Sequence, residues 1–287
     1  MAITASFPGG AEPRFEFGPE GHLGLARAAV TERDGGVSRG PFRSLNLGRS
    51  TTDSIEAVHR NERTVLTALG LDRPVARLLL EHGARVLAVD GPGMHGPADA
   101  LFTAREDLVL WITVADCFPL FVTAGRTRAL GHCGWRGVAA GLVEAVIAES
   151  ARSSGLATAS LRAWVGPGIG PCCFEVGPEV AQRFPESSIR RDGQRLRLDL
   201  KGEILRRVQS AGLPSHAVLL SSSCTCCDSE RFFSHRRDRV PSGRMAALLW
   251  ATTLPPDPSS GSPPDASTGS QSDRSRGSQP DPSRSSS

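Results

Sequence analysis

Lysine is almost absent. Lys201 is the one lysine among 33 basic residues, and arginine supplies the rest of the positive charge. The net charge is only +3, too slight for the basic footprint of a nucleic-acid binder. The arginine bias suits planar anion recognition, although the base composition of the source genome accounts for it as readily. No run approaches the roughly 20 apolar residues of a membrane span. The N-terminal segment, MAITASFPGGAEPRFEF, lacks the basic start and apolar core of a secretory signal. These absences lead us to expect a cytoplasmic protein with neither nucleic-acid nor membrane partners. None of the seven histidines forms a His-x-His pair. The Pro171-Cys172-Cys173 run does not supply the P-C-x-x-C of zinc deaminases.

What is present fits a globular fold. The 287 residues, 39% of them hydrophobic, allow one large domain or two small ones with a real core. Seven cysteines, an odd number, cluster as Cys117, Cys133, Cys172-Cys173 and Cys224/Cys226/Cys227. Without a signal, they read as reduced thiols and metal ligands rather than a disulfide framework.

The pattern predicts mixed α/β structure: mixed sheets layered with helices in a single domain over residues 41–252. Residues 1–40 are Gly-rich and contribute at most an early strand. From about 253 to 287 the chain turns to Pro, Ser, Gly and Asp, a composition expected to be disordered. Phe42 to Gly48 alternates and ends in glycine. Asp53 to Leu71 reads as a helix, with Asp53 as cap, Glu56 in the capping-box position and a stripe through Val58, Glu62 and Val65. Val75 to Asp90 reads as strand, turn and strand. The turn is His82-Gly83, with the glycine taking positive φ. Gly91 to Pro97 is a loop with His95 exposed. Val138 to Arg152 is a helix, Leu161 to Val165 a strand, Leu200 to Gly212 a helix, Ala217 to Leu220 a strand, and Arg244 to Thr252 a strand or helix.

The stretch Thr113 to Gly137 organises the rest. Short apolar runs there end in Ala115-Asp116-Cys117 and in Gly131-His132-Cys133-Gly134-Trp135-Arg136-Gly137. Cys117, His132 and His82 all fall at predicted strand ends, where sites are usually built. Two imidazoles and a thiolate suit Zn²⁺ with one open coordination position. Their spacing alone is not diagnostic, and a buried free cysteine is a common alternative for Cys117.

That stretch belongs with two other strings, Gly166-Pro-Gly-Ile-Gly-Pro-Cys-Cys-Phe-Glu-Val-Gly177 and Cys224-Thr-Cys-Cys-Asp-Ser-Glu-Arg-Phe-Phe-Ser-His-Arg-Arg-Asp238. Together they closely resemble the laccase-domain, or multicopper polyphenol oxidase-like, family, now described as zinc-dependent purine nucleoside phosphorylases. The resemblance runs from about Arg43 to Trp250. It implies two sheets layered between helices, and a zinc held by His82, Cys117 and His132, with copper as an in vitro substitute. It implies phosphorolysis of adenosine, inosine, guanosine and methylthioadenosine, with adenosine deamination as a second activity. Ser44 and Asn46 fall on an early motif near the family's pocket. Leu80 replaces the glutamine of the family's Gln-x-His-Gly motif, which puts a hydrogen bond near the pocket in question.

Phosphate needs arginines and backbone N–H groups beside the sugar. Arg85, Arg136 and the Gly166–Pro171 loop are the candidates, each of which reads equally as ordinary surface. Asp116 is placed to orient a ligand histidine or act as a base. Cys224 and Cys227 bracket two residues but lack a matching pair, which argues against a second, structural metal site, and the resemblance implies that the loops bearing Cys172, Cys173, Cys224, Cys226 and Cys227 shape the pocket rather than hold the catalytic metal. The histidine count and the missing His-x-His pairs argue against multicopper chemistry. A cysteine or zinc hydrolase editing a cell-wall precursor is the enzymatic alternative. A metal-binding protein with a degenerate site is the non-enzymatic one. A monomer or weak homodimer is expected.

Overall fold

The computed structural model describes residues 12–239 and 241–252. The tail expected to be disordered lies outside them. The strand Met245–Ala251 shows why the chain builds layers: all its residues are buried. Met245, Ala247 and Leu249 pack with Val30, Leu110, Ile112, Phe121, Leu130 and Trp164. Ala246, Leu248 and Trp250 pack on the other side with Leu45, Leu47, Val65 and Trp111. Side chains alternate across a strand, so one that is apolar at every position must lie between two covered faces.

Two six-stranded mixed sheets result. The first runs, edge to edge, Phe15–Phe17, Ala26–Thr31, Met245–Ala251, Val109–Val114, Val75–Leu78 and Gly93–His95. The second runs Val218–Leu220, Arg162–Val165, Phe118–Ala124, Thr127–Cys133, Ala100–Thr103 and Val86–Ala88. They face each other across the cluster that holds Phe121 and Trp164, whose rings stack 4.7 Å apart. The helix Ile55–Ala68 covers the first sheet through Val65. The helices Leu142–Ser154 and Leu200–Ser210 cover the second through Val143, Val146, Ile147, Ile204 and Val208. The fold is the expected mixed α/β, layered helix, sheet, sheet, helix.

Several boundaries differ from expectation. The first helix is capped by Ser54, whose Oγ accepts from Ala57 N at 3.4 Å. Asp53 is unavailable because its carboxylate takes hydrogen bonds from Ser38 Oγ at 2.6 Å and Asn46 Nδ2 at 3.0 Å. The helix expected over Val138–Arg152 is two, Trp135–Ala139 and Leu142–Ser154, broken where Gly141 takes φ 95°. His95 is half-buried on an edge strand, with Nε2 3.0 Å from Gly91 O. Ala26–Thr31, within the segment left unplaced, lies inside the first sheet. The hairpin Ile189–Asp192/Arg195–Leu198 was not anticipated, because its strands alternate with arginine; its signal was the Asp192-Gly193 turn.

Candidate metal centre and cleft

Cys117 stands at the start of strand Phe118–Ala124. His132 is the penultimate residue of the neighbouring strand Thr127–Cys133, and the two strands pair with Pro119 opposite His132. His82 comes from the turn between Val75–Leu78 and Val86–Ala88. The fold gathers the three so that one ligand atom from each lies within 4.8 Å of the others. The imidazoles meet edge to face, with centroids 4.9 Å apart. His82 is exposed, Cys117 half-buried and His132 buried, so the group is rigid on one side and open on the other.

Asp99 organises this arrangement. It is fully buried at the head of strand Ala100–Thr103. Its Oδ1 lies 2.9 Å from His132 Nδ1 and accepts from His82 N at 3.0 Å, while Oδ2 accepts from Gly83 N at 2.5 Å. His132 Nδ1 is thereby occupied, which leaves Nε2 for a ligand. The same contacts hold the turn in place although His82 itself, rather than Gly83, takes the left-handed φ of 61°. Gly137 fits tightly behind the turn, since a Cβ there would sit 2.5 Å from Gly83 O.

Charge follows from this geometry. Burial opposes ionisation of Asp99, but hydrogen bonds from His132, Gly83 and His82 outweigh it and hold the carboxyl below its usual range. Burial likewise opposes the Cys117 thiolate. The neighbouring His132, with hydrogen bonds from both imidazoles, outweighs it and brings the thiol down to about 6. Burial works against the His132 cation, but the Cys117 thiolate and Asp99 raise its pKa to about 9. The protein alone thus favours a thiolate–imidazolium pair. Cys133, next in the chain, points into the helix-side core, where burial pushes its thiol up and leaves it inert. Soft sulfur with two imidazoles and a fixed tautomer is a donor set that fits zinc.

A cleft of about 730 Å³ opens over the triple, lined also by Trp135, Ile169 and Phe174. Arg136 lines it, its guanidinium 4.4 Å over the Trp135 ring. Arg85 does not; it is exposed and donates to Pro97 O at 3.3 Å. Ser44 lies in a separate depression and accepts from Gly36 N at 3.1 Å. Asn46 is fully buried and spends its amide internally. It donates to Thr51 Oγ1 and Asp53, and accepts from Gly48 N and from Arg244 N at 2.9 Å. Among the described residues Asp116 hydrogen-bonds to neither imidazole. Its carboxylate accepts from Thr225 Oγ1 at 2.6 Å and Arg236 N at 2.7 Å, and its carbonyl accepts from Ile169 N. The histidine-orienting role considered for Asp116 falls to Asp99. Leu80 lines the cleft and packs partly on the inter-sheet core.

Sequence reasoning passed over Asp99 and most of the arginines that do line the cleft, namely Arg49, Arg77 and Arg244, while Arg236 entered only within the Cys224–Asp238 string. Arg77 was the visible anomaly, a cation within a buried strand. It stacks over Trp111 at 5.0 Å and pairs with Glu62 at 3.4 Å, and its Nε has no hydrogen-bond partner among the described residues. Arg244 is held at both ends: its backbone N–H donates to the Asn46 side-chain Oδ1 and its Nη1 to the backbone carbonyls of Ser242 and Gly243, each at 2.9 Å. Burial lowers its pKa, against the pull of nearby Asp116 and Cys117.

Comparison with known proteins gives a consistent result. Residues 27–252 match the family described as multi-copper polyphenol oxidoreductase laccase. A purine nucleoside phosphorylase of Pseudomonas aeruginosa is 38% identical over 232 residues, covering 78% of this chain and 93% of that one. The purine nucleoside phosphorylase YfiH of Escherichia coli K12 is 33% identical, covering 79% and 94%. The crystal structure of a hypothetical protein YfiH from Bacillus licheniformis superposes with a TM-score of 0.78 at 28% identity, covering 84% of this chain and 97% of that one.

Proposed function

This chain belongs to the multi-copper polyphenol oxidoreductase laccase family, and from that premise we propose that it is a zinc-dependent purine nucleoside phosphorylase. The observation that carries the proposal is one cleft in which two imidazoles and a thiolate converge within 4.8 Å beneath a lining rich in arginine. The relatives' names point to the same reaction class. The substrates are adenosine, inosine, guanosine and methylthioadenosine with inorganic phosphate, turned over in the cytoplasm by a monomer or weak homodimer whose catalytic domain spans residues 41–252 together with Ala26–Thr31.

In phosphorolysis the bond from the sugar's anomeric carbon to the purine nitrogen breaks. An oxygen of hydrogen phosphate bonds to that carbon, and the purine leaves with the proton that the phosphate gives up, so that ribose-1-phosphate is released as the dianion. His82, Cys117 and His132 would hold zinc, which supplies Lewis acidity when bound. Asp99 keeps His132 in the tautomer and orientation that present Nε2. Arg244, already gripped by backbone carbonyls, and Arg136 are the best-placed cations for phosphate, because their forks match its oxygens. Trp135 and Phe174 offer aromatic faces to a purine. Asn46 acts through Arg244, and Asp116 through the loops that bear Ile169 and Arg236.

The test supplies adenosine with and without phosphate and resolves the products by chromatography. Adenine and ribose-1-phosphate formed only with phosphate support the proposal. Bound metal without phosphate-dependent cleavage sinks it. Inosine as the product identifies adenosine deamination as the second activity. The Cys117–His132 ion pair also favours one other reading, a cysteine hydrolase acting on an amide in a cell-wall precursor. Amide hydrolysis by metal-stripped protein would select that reading.

A further inference from the structure

The loops that follow strands Arg162–Val165 and Val218–Leu220 meet beside the cleft. Gly168 and Cys224 form a parallel bridge there, and Thr225 N donates to Gly168 O at 3.1 Å. This contact brings Cys172 and Cys173 from one loop against Cys224 and Cys227 from the other. All four sulfurs lie within 4.8 Å of one another. Cys172 Sγ is 3.5 Å from Cys224 Sγ and 3.4 Å from Cys227 Sγ, and Cys173 Sγ is 3.3 Å from Cys227 Sγ. A disulfide needs about 2.05 Å and joins only two sulfurs. Four thiolates on one zinc, at about 2.3 Å each, stand about 3.8 Å apart at the corners of a tetrahedron. The observed cluster is close to that size. The sequence had no second C-x₂-C pair to offer, and the fold replaces it with the adjacent Cys172-Cys173.

The surroundings suit a bound cation with thiolate ligands. Gly170 N donates to Cys224 Sγ at 3.1 Å, the N–H···S contact that stabilises a ligating thiolate. Arg237 Nη1 donates to Thr225 O at 2.9 Å and Cys226 O at 3.1 Å. A guanidinium, itself paired with Asp238 at 2.7 Å, therefore sits against the Cys224–Cys227 turn and fixes its carbonyls.

We propose that Cys172, Cys173, Cys224 and Cys227 bind one zinc ion, separate from the His82–Cys117–His132 site, that clamps these two loops together. The clamp is structural, since four protein ligands leave no open position. Its effect reaches the cleft. One loop carries Ile169 and Phe174 and the other leads to Arg236, and all three line the cleft. Both loops dock on Asp116, through Ile169 N and through Thr225 Oγ1.

Protein purified under reductant and without chelator should carry two zinc ions per chain, and Cys117→Ala protein should keep one. Cys224→Ser/Cys227→Ser protein should lose one and melt at a lower temperature. A second measurement on the unmutated protein covers the case in which that variant does not fold. Cys172 and Cys227 are exposed, yet iodoacetamide should label them slowly until a chelator removes the metal. Labelling of all four cysteines, located by mass spectrometry, should then rise by about tenfold or more. One zinc that Cys117→Ala abolishes, fast labelling of the metal-replete protein, or a mapped disulfide within the cluster would each overturn the clamp. If the cleft triple holds no metal, the chain carries one zinc that survives Cys117→Ala and is lost in Cys224→Ser/Cys227→Ser. In that case the clamp stands while the catalytic reading fails.

Discussion

A carboxylate with no solvent contact holds three groups at once: the His132 ring, the His82 amide and the Gly83 amide. Asp99 therefore fixes two of the three candidate metal ligands without being one. Asp99→Asn keeps the shape, but removes the charge and turns one acceptor into a donor. Zinc affinity at the triple should fall roughly 10–100-fold, as for other partners of ligand histidines, read by competition with a chromophoric chelator. An unchanged affinity would mean that His132 orients itself. Arg244 is tested by kinetics. Arg244→Ala should raise KM for phosphate by about tenfold or more, with KM for nucleoside little changed. Arg244→Lys should not rescue it, because an ammonium lacks the guanidinium fork. Equal loss for both substrates would indicate a general collapse of the cleft. At this scale the sequence was informative where chemistry lies near the ligand in the chain. Within the stretch Thr113 to Gly137, Cys117 directly precedes one buried strand and His132 lies near the end of the next, and His82 tops a turn. Asp99 and Arg244 were illegible because their roles depend on contacts between segments far apart. Nothing local shows that the residue before strand Ala100–Thr103 faces the His82 turn. Asn46 misled for the opposite reason: a polar residue near the expected pocket proved to be spent on backbone and helix-entry hydrogen bonds.

Among the elements, the helix Leu200–Ser210 carries a charge network on its buried side. Glu203 has a fully buried side chain and binds Arg206, Arg207 and Ser188 at 2.6 to 2.9 Å. Burial disfavours its charge, but these partners outweigh burial and bring its pKa down to about 2, from 4.5. A depressed carboxyl stabilises the fold fully above its unfolded pKa. The contribution fades as pH falls from about 4.5 through about 2. Glu203→Gln should cost about 2 kcal/mol near neutral pH, allowing for the half-exposed Arg206. The difference from the unmutated protein should shrink steadily below pH 4.5. Urea titrations at pH 7 and pH 3 test this, and a gap that is constant with pH would show that packing rather than charge is lost. The helices were legible because their apolar stripes match the face they bury, as with Val143, Val146 and Ile147. Their ends were less so, since a cap depends on which rival partner takes the side chain. Asp53 is bound elsewhere and Ser54 caps instead.

The described residues build a pair of six-stranded sheets covered by helices, and the least local feature of that pair is the strand Met245–Ala251. That strand runs antiparallel to both Ala26–Thr31 and Val109–Val114 and fills the gap between them. The apolar composition of residues 245–251 left helix and strand equally open in the sequence. Only burial on both faces decides between them, and burial is a property of the assembled layers. While a ribosome is still short of residue 245, two strands hold bare, sticky edges with no partner to close them. The pairing of both strands with this one must wait until residues 245–251 have been made, so the sheet closes through contacts of long sequence separation. Chains arrested before residue 245 should be cut readily by added protease, and chains arrested with enough further sequence to carry residue 252 clear of the exit tunnel should resist it. Equal resistance would mean that the second sheet and its helices stand alone. The strand that joins two segments lying more than 70 residues apart in sequence is thus the piece that locks this sheet, and the interval before it is made is the one most open to misassembly.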